Sequence, residues 1–276
     1  GPDFSPVVVG LVEAHNDSSL VGMYAWYRKN HFFEVAPGLG IAHEDQVLQV
    51  RAEFDGNSVP REVHGDDNFP LTDEDMRGCT PLHRLLVDAG PDIGETKTAG
   101  GVSIPSSANS FKAGYFGGMD DNRPRCAKVV RLPILGKPWI GDNLRQVAKD
   151  WRMPEVGDTV WFGYTSWHKS SRGLYLMPMD EITLVVPADG SEPWLAGNRA
   201  AITTVEASMV SGGITVSMSA KGRIALGIID MVGDGFREKF PEIGSGTGIA
   251  MRPGNGDNMN MPWPEGNKCF TRPQYV

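Results

Sequence analysis

The sequence predicts a mainly β protein, on three observations. It holds 34 glycines and 20 prolines, a balance that suits many short strands and tight turns better than long helices. Its apolar residues fall in short runs bounded by turn formers, one of which, Gln46 to Phe54, shows an imperfect two-residue alternation. The best helical pattern is a single short stretch, Asp142 to Trp151, where Leu144, Val147, Ala148 and Trp151 recur at three- and four-residue spacings behind Asp142 as cap.

At 276 residues the chain is long enough for one large domain or two to three small ones. An apolar fraction of 40% with 9% aromatics fits a protein with a real core. The net charge of -8 argues against a nonspecific nucleic-acid binder. No run reaches the roughly 18 apolar residues of a membrane span, so no membrane partner is expected. The opening Gly1-Pro2-Asp3 has neither the basic nor the apolar region of a signal peptide; Gly1-Pro2 reads as a scar of tag removal. Cys79, Cys126 and Cys269 are odd in number, far apart and without metal-ligand spacing, which points to free thiols in a reducing, cytoplasmic setting.

Taken in order, Pro6 to Ala14 and Val21 to Arg28 read as strands separated by the turn His15-Asn16-Asp17-Ser18. His31 to Val35 is short and aromatic and is broken by Pro37-Gly38-Leu39-Gly40. Gln46 to Phe54 alternates imperfectly and reads as a strand. Asp55 to Gly78 is acidic and turn-rich, a linker or long loop, ending in one helical turn with Thr72 as cap. Strands are then expected at Leu82 to Val87, Cys126 to Leu132, Thr159 to Tyr164, Leu174 to Met177 and Asp180 to Val186. Asp189-Gly190-Ser191-Glu192-Pro193 marks a boundary. Beyond it Ala201 to Val210, Ile214 to Met218 and Arg223 to Val232 read as strands, and the last forty or so residues are turn-rich, like a wrapping arm. The expected organisation is therefore 1–78, 79–187 and 188–276.

No catalytic constellation stands out, and the chain is not expected to be an enzyme. The six histidines are scattered, none with the i, i+4 partner of a zinc helix. His64 beside Asp66 and Asp67 fits an acidic surface loop better than a cation site. Gly244-x-Gly246-x-Gly248 has the wrong spacing for a dinucleotide fingerprint, and neither a phosphate loop nor a nucleophile elbow is present. No cofactor is implied.

The segment Glu95 to Ser110 is more informative. It is polar and glycine-bearing at Gly94, Gly100 and Gly101, then offers two aliphatic side chains, Val102 and Ile104, on either side of Ser103. Two readings follow: an edge strand packed on the neighbouring sheet, or an apolar tip that orders in a partner's groove, since exposed aliphatics gain nothing in water. Gly101 to Ala108 also echoes Gly213 to Ala220, with three of eight positions identical, as a duplicated unit would give.

Several pieces, in this order, resemble the GroES-like co-chaperonins. Pro81-Leu82-His83 with Leu85-Leu86-Val87 resembles their opening strand, although Arg84 stands where the family has an Asp. Glu95-Thr96-Lys97-Thr98-Ala99-Gly100-Gly101 resembles the start of their mobile loop, and Val102-Ser103-Ile104 falls at the aliphatic tripeptide that binds the chaperonin. Val156-Gly157-Asp158-Thr159-Val160 and Asp180-Glu181-Ile182-Thr183-Leu184-Val185 resemble a late strand entry and the closing strand. The resemblance covers about residues 79–187. It implies a GroES-like β-barrel with added β-rich regions on either side, a homo-oligomeric ring, and a GroEL-type chaperonin as partner, which binds the ATP. It also implies Gly100, Gly101, Val102, Ser103 and Ile104 as the binding segment, and host cytoplasm if the chain is virus-encoded. Ser103 departs from the family's middle aliphatic, and 111–125 and 133–154 are longer than usual. The contrasting expectation is a structural component of a virus particle that reuses such a barrel for assembly contacts.

Overall fold

A computed structural model describes residues 6–54, 61–63, 71–89, 95–97, 103–105, 125–135, 152–162, 173–179, 182–197, 199–205, 208–211, 214–217, 225–251, 259–263 and 266–271. The fold is mainly β, in several antiparallel sheets.

The first region contains β1 (Val7–Leu11), β2 (Tyr24–Arg28), β3 (Phe32–Ala36), β4 (Leu39–Ala42), β5 (Val47–Arg51), β6 (Arg61–Glu62), a short helix α1 (Asp73–Gly78) and β7 (Thr80–Pro81). Five strands form one sheet in the order β6-β1-β2-β5-β7. Val7, Val9, Trp26 and Leu48 point to one buried face; Val8, Ala25, Tyr27 and Val50 point to the other. Burial on both faces explains why β1 reads as an unbroken apolar run rather than an alternating one. Thr72 caps α1 as expected, its Oγ1 accepting from the Asp75 N–H at 3.1 Å. The acidic stretch before it is more than a linker, because Leu71, Met76 and Cys79 enter the core. Those three inward positions are spaced among acidic neighbours that stay at the surface, so composition hides them.

The second region contains β8 (Leu85–Asp88), β9 (Glu95–Lys97), β10 (Ser103–Pro105), β11 (Arg125–Arg131), β12 (Thr159–Phe162), β13 (Leu174–Met177), β14 (Ile182–Val186) and β15 (Trp194–Leu195). Six of them form a sheet in the order β13-β8-β11-β12-β14-β15. Its inner face carries Leu85, Val87, Val129, Val160, Phe162 and Tyr175. The rings of Phe162 and Tyr175 lie 5.6 Å apart, although three strand steps of about 4.8 Å would separate β12 from β13 in a flat sheet. The sheet is therefore strongly curled. It is not closed: among the described residues no ladder joins β13 to β14 or β15. Met179, in the crossing from β13 to β14, belongs to the same inner cluster. Of the expected barrel, the structure has the mainly β, antiparallel character and the curl.

The turn before β12 shows why Val156-Gly157-Asp158 has its sequence. Gly157 has φ +99°, a region closed to most side chains. The Asp158 carboxylate accepts from the Glu155 N–H at 2.8 Å and from the Ala188 N–H at 2.9 Å, which fastens the entry of β12 to the exit of β14.

The third region contains β16 (Ala200–Val205), β17 (Ser208–Ser211), β18 (Ile214–Ser217), β19 (Ala225–Val232), α2 (Asp234–Lys239), β20 (Gly248–Met251), β21 (Met259–Trp263) and β22 (Gly266–Thr271). Five form a sheet in the order β20-β19-β16-β22-β21. The residues expected to be a wrapping arm thus supply three strands of a sheet, their turn formers lying between strands. Phe236 of α2 packs on Ile202, Ile229 and Ile249. Gly233 lets α2 start close to the preceding chain, since a Cβ there would lie 2.5 Å from the Gly197 carbonyl oxygen. The helix expected at Asp142 to Trp151 lies outside the described residues.

The three regions share cores. Leu86, Leu174 and Leu176, on the outer face of the curled sheet, pack with Val7, Val9, Trp26 and Leu48 of the first sheet. Leu184 and Leu195, at the other end of the curled sheet, pack with Ala201, joined by Trp161, Val186 and Met231.

Candidate partner-binding surfaces

β9 and β10 form a two-stranded ribbon in the register Lys97↔Ser103, Thr96↔Ile104 and Glu95↔Pro105. Neither pairs with another strand among the described residues. Among those residues the ribbon thus pairs with no strand of the curled sheet. Of the expected binding residues, Ser103 and Ile104 lie on β10, while Gly100, Gly101 and Val102 lie outside the described residues.

A second detached ribbon was not expected from the sequence. β3 and β4 pair as Phe32↔Ala42, Phe33↔Ile41, Glu34↔Gly40 and Ala36↔Leu39, with Val35 as the bulged residue. Phe33 is 68% exposed, Val35 63%, Ile41 65% and Leu39 44%, an unusual concentration of large apolar side chains in water. The opposite side is anchored. The Phe32 ring crosses Gly40, where a Cβ would overlap it, and meets the Tyr27 ring at 5.1 Å. Glu34 Oε1 accepts from the Gly38 N–H at 2.8 Å and closes the turn. The signal in the sequence is the aliphatic and aromatic alternation on both sides of Pro37-Gly38, the signature of a hairpin.

The base of this hairpin is tied down by charge. Glu44, just after β4, takes His15 Nε2 on Oε2 at 2.8 Å and His83 Nε2 on Oε1 at 2.5 Å. The Asp17 N–H donates to His15 Nδ1 at 2.9 Å, so His15 carries its proton on Nε2 and donates to Glu44. One carboxylate thereby links the chain after β1, after β4 and after β7.

Among the described residues no group of three or more His, Cys, Asp or Glu side chains is placed to hold a metal ion. His64, Asp66 and Asp67 lie outside those residues. Cys79 is a free thiol and buried; burial, then the nearby Asp75 charge, pushes its pKa up from 9.0 to about 12, the reverse of what a nucleophile needs. No helix among the described residues is long and apolar enough to cross a membrane.

No protein-family model, curated protein or solved structure matches the chain.

Proposed function

We propose that the chain is a divergent co-chaperonin, a GroES-like subunit that assembles with copies of itself and caps a GroEL-type chaperonin through Gly100 to Ile104. The observation that carries this reading is the separation of the β9–β10 ribbon from every larger sheet. Among the described residues β9 and β10 pair only with each other, and the uncharged segment 98–102 lies between them in sequence. Further support comes from the strands that carry the resemblance, β8, β12 and β14, which belong to that one sheet.

The physics of such a contact follows from the binding segment. Burying one aliphatic side chain is worth about 1.5–3 kcal/mol, and ordering the loop offsets part of it. Each arm then holds weakly, and several arms on a ring hold firmly. A weak single grip with Ser103 at its centre also permits release. Nucleotide is bound and hydrolysed by the partner, so this subunit needs no cofactor. The test is co-sedimentation and negative-stain imaging with a GroEL-type chaperonin with and without ATP. Nucleotide-dependent capping is expected, weakened tenfold or more in V102D/I104D with the circular dichroism unchanged. Absence of capping by the unaltered protein would sink the reading.

A second reading, a structural component of a virus particle or similar assembly, is favoured by the β3–β4 hairpin. Its exposed apolar face carries four large side chains, Phe33, Val35, Leu39 and Ile41, few beside the roughly 20–30 residues a side of a standard two-body interface. That size suits a contact repeated between copies of this chain. An assembly that forms without a chaperonin and ignores one would favour it.

A further inference from the structure

The second and third regions share one wiring. In the curled sheet, β8, β11, β12 and β13 follow in chain order and lie in the sheet order β13-β8-β11-β12. In the third region, β16, β19, β20 and β22 follow in chain order and lie in the order β22-β16-β19-β20. First pairs with second, second with third and first with fourth, antiparallel every time. In both, a detached two-stranded hairpin stands between the first and second strands: β9–β10 in one, β17–β18 in the other.

The irregularities coincide as well. Between β8 and β11 the register steps from Val87↔Val129 to Leu86↔Arg131, leaving Val130 as the extra residue. Between β16 and β19 it steps from Ile202↔Ile229 to Ala201↔Met231, leaving Asp230 as the extra residue. Each bulge lies opposite the junction of the second and third residues of the first strand, near the end of the second strand. A bulge interrupts the ladder and is a placed feature of a fold, so its recurrence at one position is more than shared sheet geometry.

The sequence echo falls on the two hairpins. Its alignment sets Ser103-Ile104-Pro105 of β10 on Thr215-Val216-Ser217 of β18. The pair Lys97↔Ser103 then matches Val210↔Thr215, with residues 98–102 between the first pair and 211–214 between the second. Val102-Ser103-Ile104 and Ile214-Thr215-Val216 are both aliphatic, hydroxyl, aliphatic, and both follow a Gly-Gly pair. No charged residue occurs from 98 to 110 or from 207 to 220, in a chain that is 22% charged. The units also differ: among the described residues β14 and β15 have no counterpart in the second, β21 and α2 have none in the first, and the chain from β10 to β11 is longer than from β18 to β19.

We infer that the chain contains two copies of one folding unit, and that the β17–β18 hairpin is a second partner-binding arm acting through Ile214 to Val216. It takes the same chemistry as the first, an uncharged apolar groove that accepts two aliphatic side chains two residues apart in an extended segment. A hydroxyl residue stands at the centre of both triplets, Ser103 in one and Thr215 in the other. Each subunit then offers two arms, so a ring offers twice as many arms as subunits. The second arm's function rests on the co-chaperonin reading.

The test uses the full chain and a GroEL-type chaperonin with ATP, with binding read by surface plasmon resonance. V102D/I104D and I214D/V216D are each expected to weaken binding tenfold or more, and the fourfold variant to abolish it. The serine pair I214S/V216S, which adds no charge, should weaken binding in the same direction. Unchanged circular dichroism and melting temperature show that the fold survives. If V102D/I104D loses binding while I214D/V216D and I214S/V216S bind like the unaltered protein, the second arm is refuted and the co-chaperonin reading stands. If the unaltered protein does not bind, both fall.

Discussion

Cys79 illustrates how a residue's environment decides its chemistry. Its thiol is buried between the first sheet and the curled sheet, with its pKa pushed up from 9.0 to about 12. Tyr27 is also pushed up by burial, from 10.0 to about 12. Both groups are neutral when protonated, and the folded state holds their protons more tightly than the unfolded chain does. Their contribution to stability is therefore fully present below about pH 9 and is lost as pH rises toward 12. Urea midpoints should be flat from pH 7 to 9 and then fall; in C79A the early part of that fall should shrink. A midpoint falling already between pH 7 and 8.5 would contradict this account. At pH 8, peptide mapping after iodoacetamide treatment should find Cys79 unmodified in the folded protein and modified in urea. The sequence showed that the three cysteines lack metal spacing, but burial of Cys79 depends on Leu86 and Leu174, which arrive from other strands.

The ribbons are where the elements depart most from sequence expectation. Regular strands such as β2, β5 and β14 were legible because they are short runs rich in apolar residues bounded by turn formers. The β3–β4 hairpin was not, because Pro37-Gly38 looked like the end of a strand and exposure of Phe33 and Ile41 depends on what fails to cover them. Its orientation rests on Gly40 beneath the Phe32 ring. Adding a Cβ would meet that ring and come within 2.6 Å of the Phe33 carbonyl oxygen, so G40A should cost about 1–3 kcal/mol and speed amide exchange in residues 32–42. Exchange unchanged from the unaltered protein would show that the Phe32 contact does not hold the hairpin. The proposed first binding arm was legible as a polar, glycine-bearing segment with an aliphatic centre. The second was visible only as a short echo, because eight residues of similarity carry little weight until strand pairing and bulge position agree with them.

At the scale of the whole molecule, the expected boundaries at 78 and 188 fall where cores are shared. The sequence marks turns well, yet it does not say which strand faces are buried by another sheet. Truncation after Ala188 removes Leu195, Ala201 and Met231 from Trp161, Leu184 and Val186. The truncated chain is expected to aggregate or to melt well below the full protein; a soluble, monomeric fragment melting at the same temperature would mean that this shared core contributes little. The same sharing governs the order in which the protein can fold as it leaves the ribosome. The first sheet is synthesised early, but its core with Trp26 and Leu48 includes Leu174 and Leu176, and β8 finds a neighbour only in β11 and β13. More than half of the chain must emerge before the amino-terminal sheet can bury that face. Until then Val7, Val9 and Trp26 stand open to water, in a protein whose contacts join residues far apart in sequence and so form slowly. A subunit proposed to help other chains fold would itself spend its synthesis as an exposed, incomplete chain.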